Sequence, residues 1–534
     1  MSALAGTGTL TRLALRRDRI LIPVWVAGLT LVMVASASSV DSLYPTLESR
    51  RQLAAGLAND SSVLAIYGPA NALDTTGGMT MWKPGGLVFV LIGLMSLLIV
   101  VRHSRAEEES GRLELVGSGV VGRHAPLTAA LLTAAIADVA VAALVALGMI
   151  GVGAPAAGSI AAGLSFAACG LVFAAIAAIA AQVTEGARAA NGLAGTVLGL
   201  SYLLRAGGDS AGSGGASWLS WLSPIGWCQQ VRSYAGERFW VLAFPVAFAL
   251  LVVGAGYLLA ARRDLGAGLV AAGSGPASAA ARLRSPMALA WRLQRGALLG
   301  WAVGFAVVGV VVGSIGNGIK GLIGDNATVS DVLTRLGGRG GVIDAYLSTV
   351  LGMLGLVAAV YAVQAVLRLR SEETGLRAEP LLATRVGRIG WAVSHVAFAV
   401  LGSAGLLAVA GLLAGVTYGA EAGDLGGQLP RVLGAALVQV PAVWVLAGIA
   451  VAVFGLIPRL SVGGAWTVLG LSILIGEFGP LLRLNHWAVD VSPFAHVPRV
   501  LGATPEVQPL IWLLAIAALA GVLGLVGLRR RDIG

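Results

Sequence analysis

Apolar runs of membrane-crossing length recur from one end of this chain to the other, and they limit the fold more than any motif does. A run of about 18 or more residues with few charges is the length of a transmembrane helix. Only 12% of the residues are charged and 57% are hydrophobic, about half the charge of a soluble domain. In lipid every backbone polar group needs an internal partner, so runs of this length must be helices. Read in order, the runs are 20–40, 85–101, 125–151, 155–182, 190–206, 239–261, 297–316, 346–367, 391–417, 430–457, 463–482 and 509–528. The expected fold is an all-α polytopic membrane protein with about twelve transmembrane helices.

In such a chain a net charge of +10 reports topology before it reports an acidic partner, and nucleic acid is not the expected one. With both termini inside, the inner segments hold about +13 of net charge and the remainder about −3, as the positive-inside rule requires. Residues 1–19 read as an inner amphipathic helix, Arg12, Arg16 and Arg19 on one face and Leu10, Leu13 and Ile20 on another, suited to lipid headgroups. Residues 41–84 read as an external loop with a short helix. Ala35-Ser36-Ala37 looks like a signal-peptidase site. However, Leu13, Arg16, Arg19, Trp25 and Gly28 return as Leu289, Arg292, Arg295, Trp301 and Gly304. A mid-chain copy is no signal peptide, so both are read as spans.

The repetition extends along the chain. Arg262-Arg263-Asp264 closes the sixth run and Arg530-Arg531-Asp532 the twelfth. Leu198-Gly199-Leu200-Ser201 matches Leu469-Gly470-Leu471-Ser472, and Trp218 with Ser223-Pro224 matches Trp487 with Ser492-Pro493. This is a tandem six-span unit: 1–266, a Gly/Ala/Ser-rich linker at 267–287, and 288–534. Six is an even number, so the halves share one orientation. The segment 207–238, with Trp218, Trp221, Ser223 and Pro224, is aromatic, short and broken by Gly and Pro, as a membrane-interface or re-entrant segment would be.

Two charged stretches stand between the apolar runs. Glu107, Glu108, Glu109, Ser110, Gly111, Arg112, Leu113 and Glu114 form the first; Glu372, Glu373, Thr374, Gly375, Leu376, Arg377, Ala378 and Glu379 form the second. Aligned on the glycines, the second has one extra residue before its arginine. Each leads to a Val-Gly-Arg, ending at Arg123 and Arg388. Carboxylates this dense must face water or protein. Taken singly they are solvated loop helices; repeated at equivalent places, they suit docking onto a two-fold partner.

Catalytic chemistry finds no anchor. A P-loop needs Gly-Lys-Ser/Thr, but Lys83 precedes Pro84 and Lys320 precedes Gly321. The five histidines have no metal-ligand spacing, Cys169 and Cys228 make no disulfide framework, and no Gly-x-Ser-x-Gly elbow occurs. No cofactor and no metal is expected on this chain. Arg greatly outnumbers Lys, a habit of GC-rich bacterial genomes.

With these residues the chain resembles permeases of ABC exporters, and more closely the fused twelve-span actinobacterial exporters of polyketide antibiotics and other drugs. The resemblance is carried by EEESGRLE, RAEPLLATRVGR and DVSPFAHVP over a whole-chain frame. It implies a bacterial plasma-membrane subunit without its own ATPase site, exporting hydrophobic small molecules. It also implies two cytosolic ATPase subunits carrying ATP and Mg. The charged stretches would then be coupling helices, and the segments around Trp218–Pro224 and Trp487–Pro493 re-entrant. Two rival readings stand beside it. One is a proton-driven twelve-span transporter, whose loops typically read G-x-x-x-D-R-x-G-R, unlike either copy here. The other is a non-transporting membrane scaffold for an ATPase.

Three ionisable residues are candidates for an intramembrane or gating role. Asp138 sits inside the third run, where a hydrogen bond to a neighbouring helix is the first reading and a substrate or gating role the second. Arg205 and Glu477 follow the matched Leu-Gly-Leu-Ser. They would pair near an interface between halves, but the plainer expectation is that each reaches outer headgroups separately.

Overall fold

A computed structural model describes the chain except residues 1, 44–46, 49, 52–63, 66, 211–216, 265, 271–277, 279, 281–282, 324–337, 479–486, 488–489, 499, 502–506 and 533–534. It is built from helices, and ten among the described residues are long and apolar enough to cross a membrane. The chain divides into two compact units, Met1–Gly275 and Pro276–Gly534.

The first unit begins with α1 (Thr7–Arg17) and α2 (Leu21–Leu43). The short α3 (Thr76–Trp82) precedes α4 (Gly85–His103), and α5 (Arg105–Glu109) and α6 (Arg112–Gly117) follow it. Next come α7 (Ala125–Gly151), α8 (Ala156–Val183), α9 (Ala187–Ser210), α10 (Pro224–Gln230) and α11 (Ala243–Ala261). The second unit holds α12 (Pro286–Ile323), α13 (Gly338–Thr374), α14 (Ala378–Leu382), α15 (Arg388–Ala422), α16 (Leu425–Leu437), α17 (Val440–Leu456), α18 (Ser461–Phe478) and α19 (Gln508–Arg530). Several start with proline in the first turn, Pro126 in α7, Pro441 in α17 and Pro509 in α19, where its missing N–H has no partner to lose.

Packing follows residue size. Helix α8 lies at the centre of the first unit against α4, α7 and α11. It is rich in Ala, Gly and Ser, and hydrocarbon supplies no driving force to bring helices together, so close backbone approach must do so. A Cβ on Gly163 would overlap the carbonyl of Ala142 on α7. Larger groups fill what remains, with the Phe89 and Phe166 rings 4.8 Å apart. In the second unit α17 meets α19 in the same way, Gly455 against Gly524.

The fifth and eleventh runs form α9 and α18, but neither is among the ten. In α9 the apolar run is cut by Asn191, Tyr202, Arg205 and several glycines, while α18 runs into residues outside the described ones. Helix α1 departs from the expected apolar face: Thr11 and Ala14 are buried against the protein, while Leu13 and Ile20 are exposed along with Arg12 and Arg16. The residue that follows α1 adds an anchor that composition does not announce. Asp18 is buried, 3.0 Å from Arg102 Nε and 2.7 Å from His103 Nε2 at the end of α4.

Candidate functional site

The two charged loops adopt one backbone path. After α5 the chain turns through Gly111 at φ 71°, and after α13 it turns through Leu376 at φ 55°. The turns close with equivalent bonds, Gly111 N to Glu108 O at 2.9 Å and Leu376 N to Glu373 O at 3.0 Å. The structural register therefore has no insertion. Arg105 pairs with Arg370, Glu107 with Glu372, Glu108 with Glu373, Gly111 with Leu376, Arg112 with Arg377 and Arg123 with Arg388. The extra residue inferred by matching the glycines is an artefact of letter identity. Gly375 stands where Ser110 does, and Leu376 bears the left-handed turn that usually selects glycine.

Side chains repeat along with the backbone. Glu108 receives both oxygens' bonds from Arg263 Nη2, each at 2.9 Å, and a second ion pair from Arg105. Glu373 receives Arg531 Nη1 at 2.7 Å and Nη2 at 3.0 Å, with Arg370 Nη1 at 3.1 Å. The two carboxylates are only 6% and 2% exposed. Arg263 and Arg531 are the middle residues of the two Arg-Arg-Asp landmarks. The Val-Gly-Arg arginines complete each set. Arg123 Nη2 donates to the carbonyls of Ala261 at 2.7 Å and Ala260 at 3.2 Å. Arg388 Nη1 donates to that of Arg531 at 2.6 Å. Both sit where the last carbonyls of a helix lack partners and its dipole is negative.

This arrangement sorts the candidate residues. Glu108 and Glu373 are internal, so they do not form the outward-facing surface that their place in a charged loop implied. Glu107 pairs with Arg17 of α1 and lies 3.4 Å from Arg112, while Glu372 is 2.7 Å from Arg368 and 3.9 Å from Arg377. Glu109 accepts the N–H of Ala187 at 2.9 Å, capping the start of α9. Its structural counterpart is Thr374, so Glu109 has no partner in the repeat. Among the residues that face outward are Arg112, Glu114 and Leu115 on one loop and Leu376, Arg377 and Glu379 on the other. Leu115 is 77% exposed and Leu376 64%. Beneath the first loop lies a cavity of about 500 Å³ lined in part by Leu113, Val116, Leu127, Arg123, Gln182 and Arg263.

The second repeated feature is a serine clip. Ser223 Oγ donates to the carbonyl of Ser201 at 2.7 Å, and Ser492 Oγ donates to that of Ser472 at 3.1 Å. Each serine precedes a short helix opened by proline: Pro224 starts α10 and Pro493 a single 3-10 turn. Ser223 also caps α10 by accepting from Gly226 N at 3.2 Å. Trp218 and Trp487 are exposed, and Trp221 packs its ring 6.1 Å from Phe244. Beyond α10, the buried Tyr234 hydroxyl shares a hydrogen bond with Ser159 of α8 at 3.0 Å.

Of the intramembrane candidates, Asp138 is fully buried and accepts Ser96 Oγ from α4 at 2.6 Å. That is the neighbouring-helix bond of the first reading. Its other face packs on Gly170 of α8, where a Cβ would overlap the carboxylate. Arg205 departs from expectation. It is fully buried, with Nη1 3.4 Å from Asp209 and its guanidinium 4.6 Å over the Tyr202 ring. Ser220 Oγ donates to Asp209 at 2.6 Å, closing the group. Arg205 thus does not reach headgroups, because Asp209 one turn along supplies the counter-charge. Glu477 lies in α18, and its side chain is outside the described residues.

Residues 283–529 match the family model of the C-terminal domain of the multidrug efflux system permease Rv1217c. Over 533 residues the chain is 46% identical to the multidrug efflux system permease protein Rv1217c of Mycobacterium tuberculosis (strain ATCC 25618 / H37Rv), across 100% of this chain and 96% of that protein.

Proposed function

The chain belongs to the family of multidrug efflux permeases, and on that premise we propose how its two loops couple transport to ATP. It is the membrane-spanning subunit of an ABC-type exporter and carries the drug pathway; hydrolysis belongs to its partners. Two cytosolic ATPase subunits dock on the two loops, one on each. The arrangement is twelve spans in two halves of like orientation, α9 and α18 supplying the fifth and eleventh. The termini and the loops face the cytosol, and the clipped segments at Trp218–Pro224 and Trp487–Pro493 re-enter the membrane from outside.

The observation that carries this reading is the residue-for-residue repeat of the loops. Each holds its inner glutamate in an arginine clamp and leaves an equivalent arginine and glutamate outward, Arg112 with Arg377 and Glu114 with Glu379; each also exposes a leucine, at positions that are not equivalent. Apolar and charged groups side by side are what an interface core and rim require. The contacts to the partner are therefore Leu115, Arg112 and Glu114 on the first loop, with Leu376, Arg377 and Glu379 on the second. Charge-assisted contacts of this kind contribute about 1.5–3 kcal/mol when partly desolvated, against about 0–1 kcal/mol for a surface pair.

The test is Arg112→Glu with Arg377→Glu. Partner pull-down and drug-stimulated ATP hydrolysis should both be lost, with normal detergent-stable yield because neither side chain is enclosed. A single reversal should leave an intermediate rate. Retention of partner, stimulation and export in the double variant would mean that the loops are solvated and dock nothing.

A further inference from the structure

We infer that the two arginine clamps transmit loop movement to the sixth helix of each half, so that Arg263, Arg531, Arg123 and Arg388 are positioning residues for coupling. The inference rests on the proposed docking of ATPase subunits at the loops, and it names the element that those subunits move.

The clamp joins three chain segments. Glu108 lies on the loop after α4, Arg263 follows α11, and Arg263 Nε also donates to Gln182 Oε1 at 2.7 Å near the end of α8. Arg105 reinforces this, donating to the carbonyls of Glu185 at 2.7 Å and Gly266 at 2.9 Å. The second unit repeats the connection with other atoms. Arg531 follows α19, holds Glu373, and stacks 4.8 Å over the ring of Phe454 near the end of α17. In each half the loop is therefore tied to the ends of the fourth and sixth helices.

Stability alone does not account for this chemistry. A buried ion pair is often matched or bettered by apolar side chains of similar volume. What a bidentate guanidinium–carboxylate pair supplies is a fixed relative orientation of the segments that carry it. Orientation matters here because the sixth helices are little enclosed within their own units. Only 22% of the span ending at Ala261 and 17% of that ending at Arg530 is buried, against 67% for each span that leads into a loop. A helix so exposed takes the position of its inner end from what holds that end. There the clamp and the Arg123 or Arg388 fork on the terminal carbonyls add polar ties to the apolar packing, which for α19 is Leu528 among Trp391 and Phe454 and the Gly455–Gly524 seam.

The experiment uses the full chain with its ATPase subunits in vesicles and measures drug molecules exported per ATP hydrolysed. Glu373→Met with Arg531→Met removes both charges and keeps the volume. The expected result is retained partner binding, continuing hydrolysis and at least a tenfold fall in export per ATP. Glu373→Cys with Arg531→Cys should show the same fall, and a short bis-maleimide joining the two thiols should restore the ratio, which a purely structural role would not predict. If the Met pair is poorly expressed, Arg123→Gln with Arg388→Gln, at the more exposed end of the clamp, should lower the ratio in the same direction. An unchanged ratio in these variants overturns the inference. Loss of partner binding together with hydrolysis also overturns it, since the clamp would then only shape the docking loop. Absence of drug-stimulated hydrolysis in the unaltered complex would instead count against the docking reading itself.

Discussion

Leu376 occupies a left-handed turn at φ 55° with its side chain 64% exposed. An L-residue there carries about 1–2 kcal/mol of strain that glycine avoids, and Gly111 at the equivalent turn does avoid it. Leu376→Gly should raise stability by about 1 kcal/mol, less the added freedom of the unfolded chain, read as a higher melting temperature in detergent. If Leu376 is a partner contact, the same change should weaken drug-stimulated ATP hydrolysis. A variant that is stabler and fully active would remove Leu376 from the docking surface. The clamp behaves in the opposite sense. Arg531→Ala leaves the enclosed Glu373 with Arg370 alone, and stranding one member of a buried pair costs about 3–5 kcal/mol. Detergent-stable yield of Arg531→Ala should therefore fall well below that of Arg531→Met with Glu373→Met.

At the scale of elements, helix existence was legible from apolar run length, and the repeat from a few spaced landmarks. Two things were not. Letter identity paired Gly111 with Gly375, whereas backbone geometry pairs it with Leu376, because a turn's φ is not written in residue type alone. The partner of Glu108 was also hidden. Arg263 was visible as a helix-end landmark, but a pair spanning more than half of the first unit leaves no periodic trace. The expected headgroup contact of Arg205 fails for a related reason: its counter-charge Asp209 follows one turn later, just past the end of the fifth run. The glycine seams between helices belong to this scale. Gly455→Val would force a side chain into the Gly524 carbonyl. Overpacking costs about 1–3 kcal/mol, so α17 and α19 should separate and yield should drop. Gly405→Val, at a helical glycine with open space around it, should be tolerated and serves as the control.

For the whole molecule the decisive expectation is topology, and the cysteines make it accessible. Cys169 and Cys228 are 0% and 1% exposed. The native chain should therefore ignore an impermeant maleimide until it is unfolded, and cysteines placed elsewhere should report against a silent background. Ser61 and Asn326, both outside the described residues, fall between the first and second and between the seventh and eighth apolar runs, which the topology read from the charge balance places outside. Ser61→Cys and Asn326→Cys should label in intact cells. Ser118→Cys and Thr384→Cys, exposed on the two loops, should label only after lysis. The four positions test more than orientation. If the halves are parallel, Ser61 must behave like Asn326 and Ser118 like Thr384; an odd number of spans in the first half would break both agreements. Labelling of Ser61 from outside and Asn326 from inside would mean that α9 does not cross the membrane, and the two loops would then lie on opposite sides. That outcome would rule out a common cytosolic ATPase pair, whatever the likeness of the loops. Agreement at all four sites would make α9, despite its buried Arg205 and Asp209, a true span whose charges are paired within it.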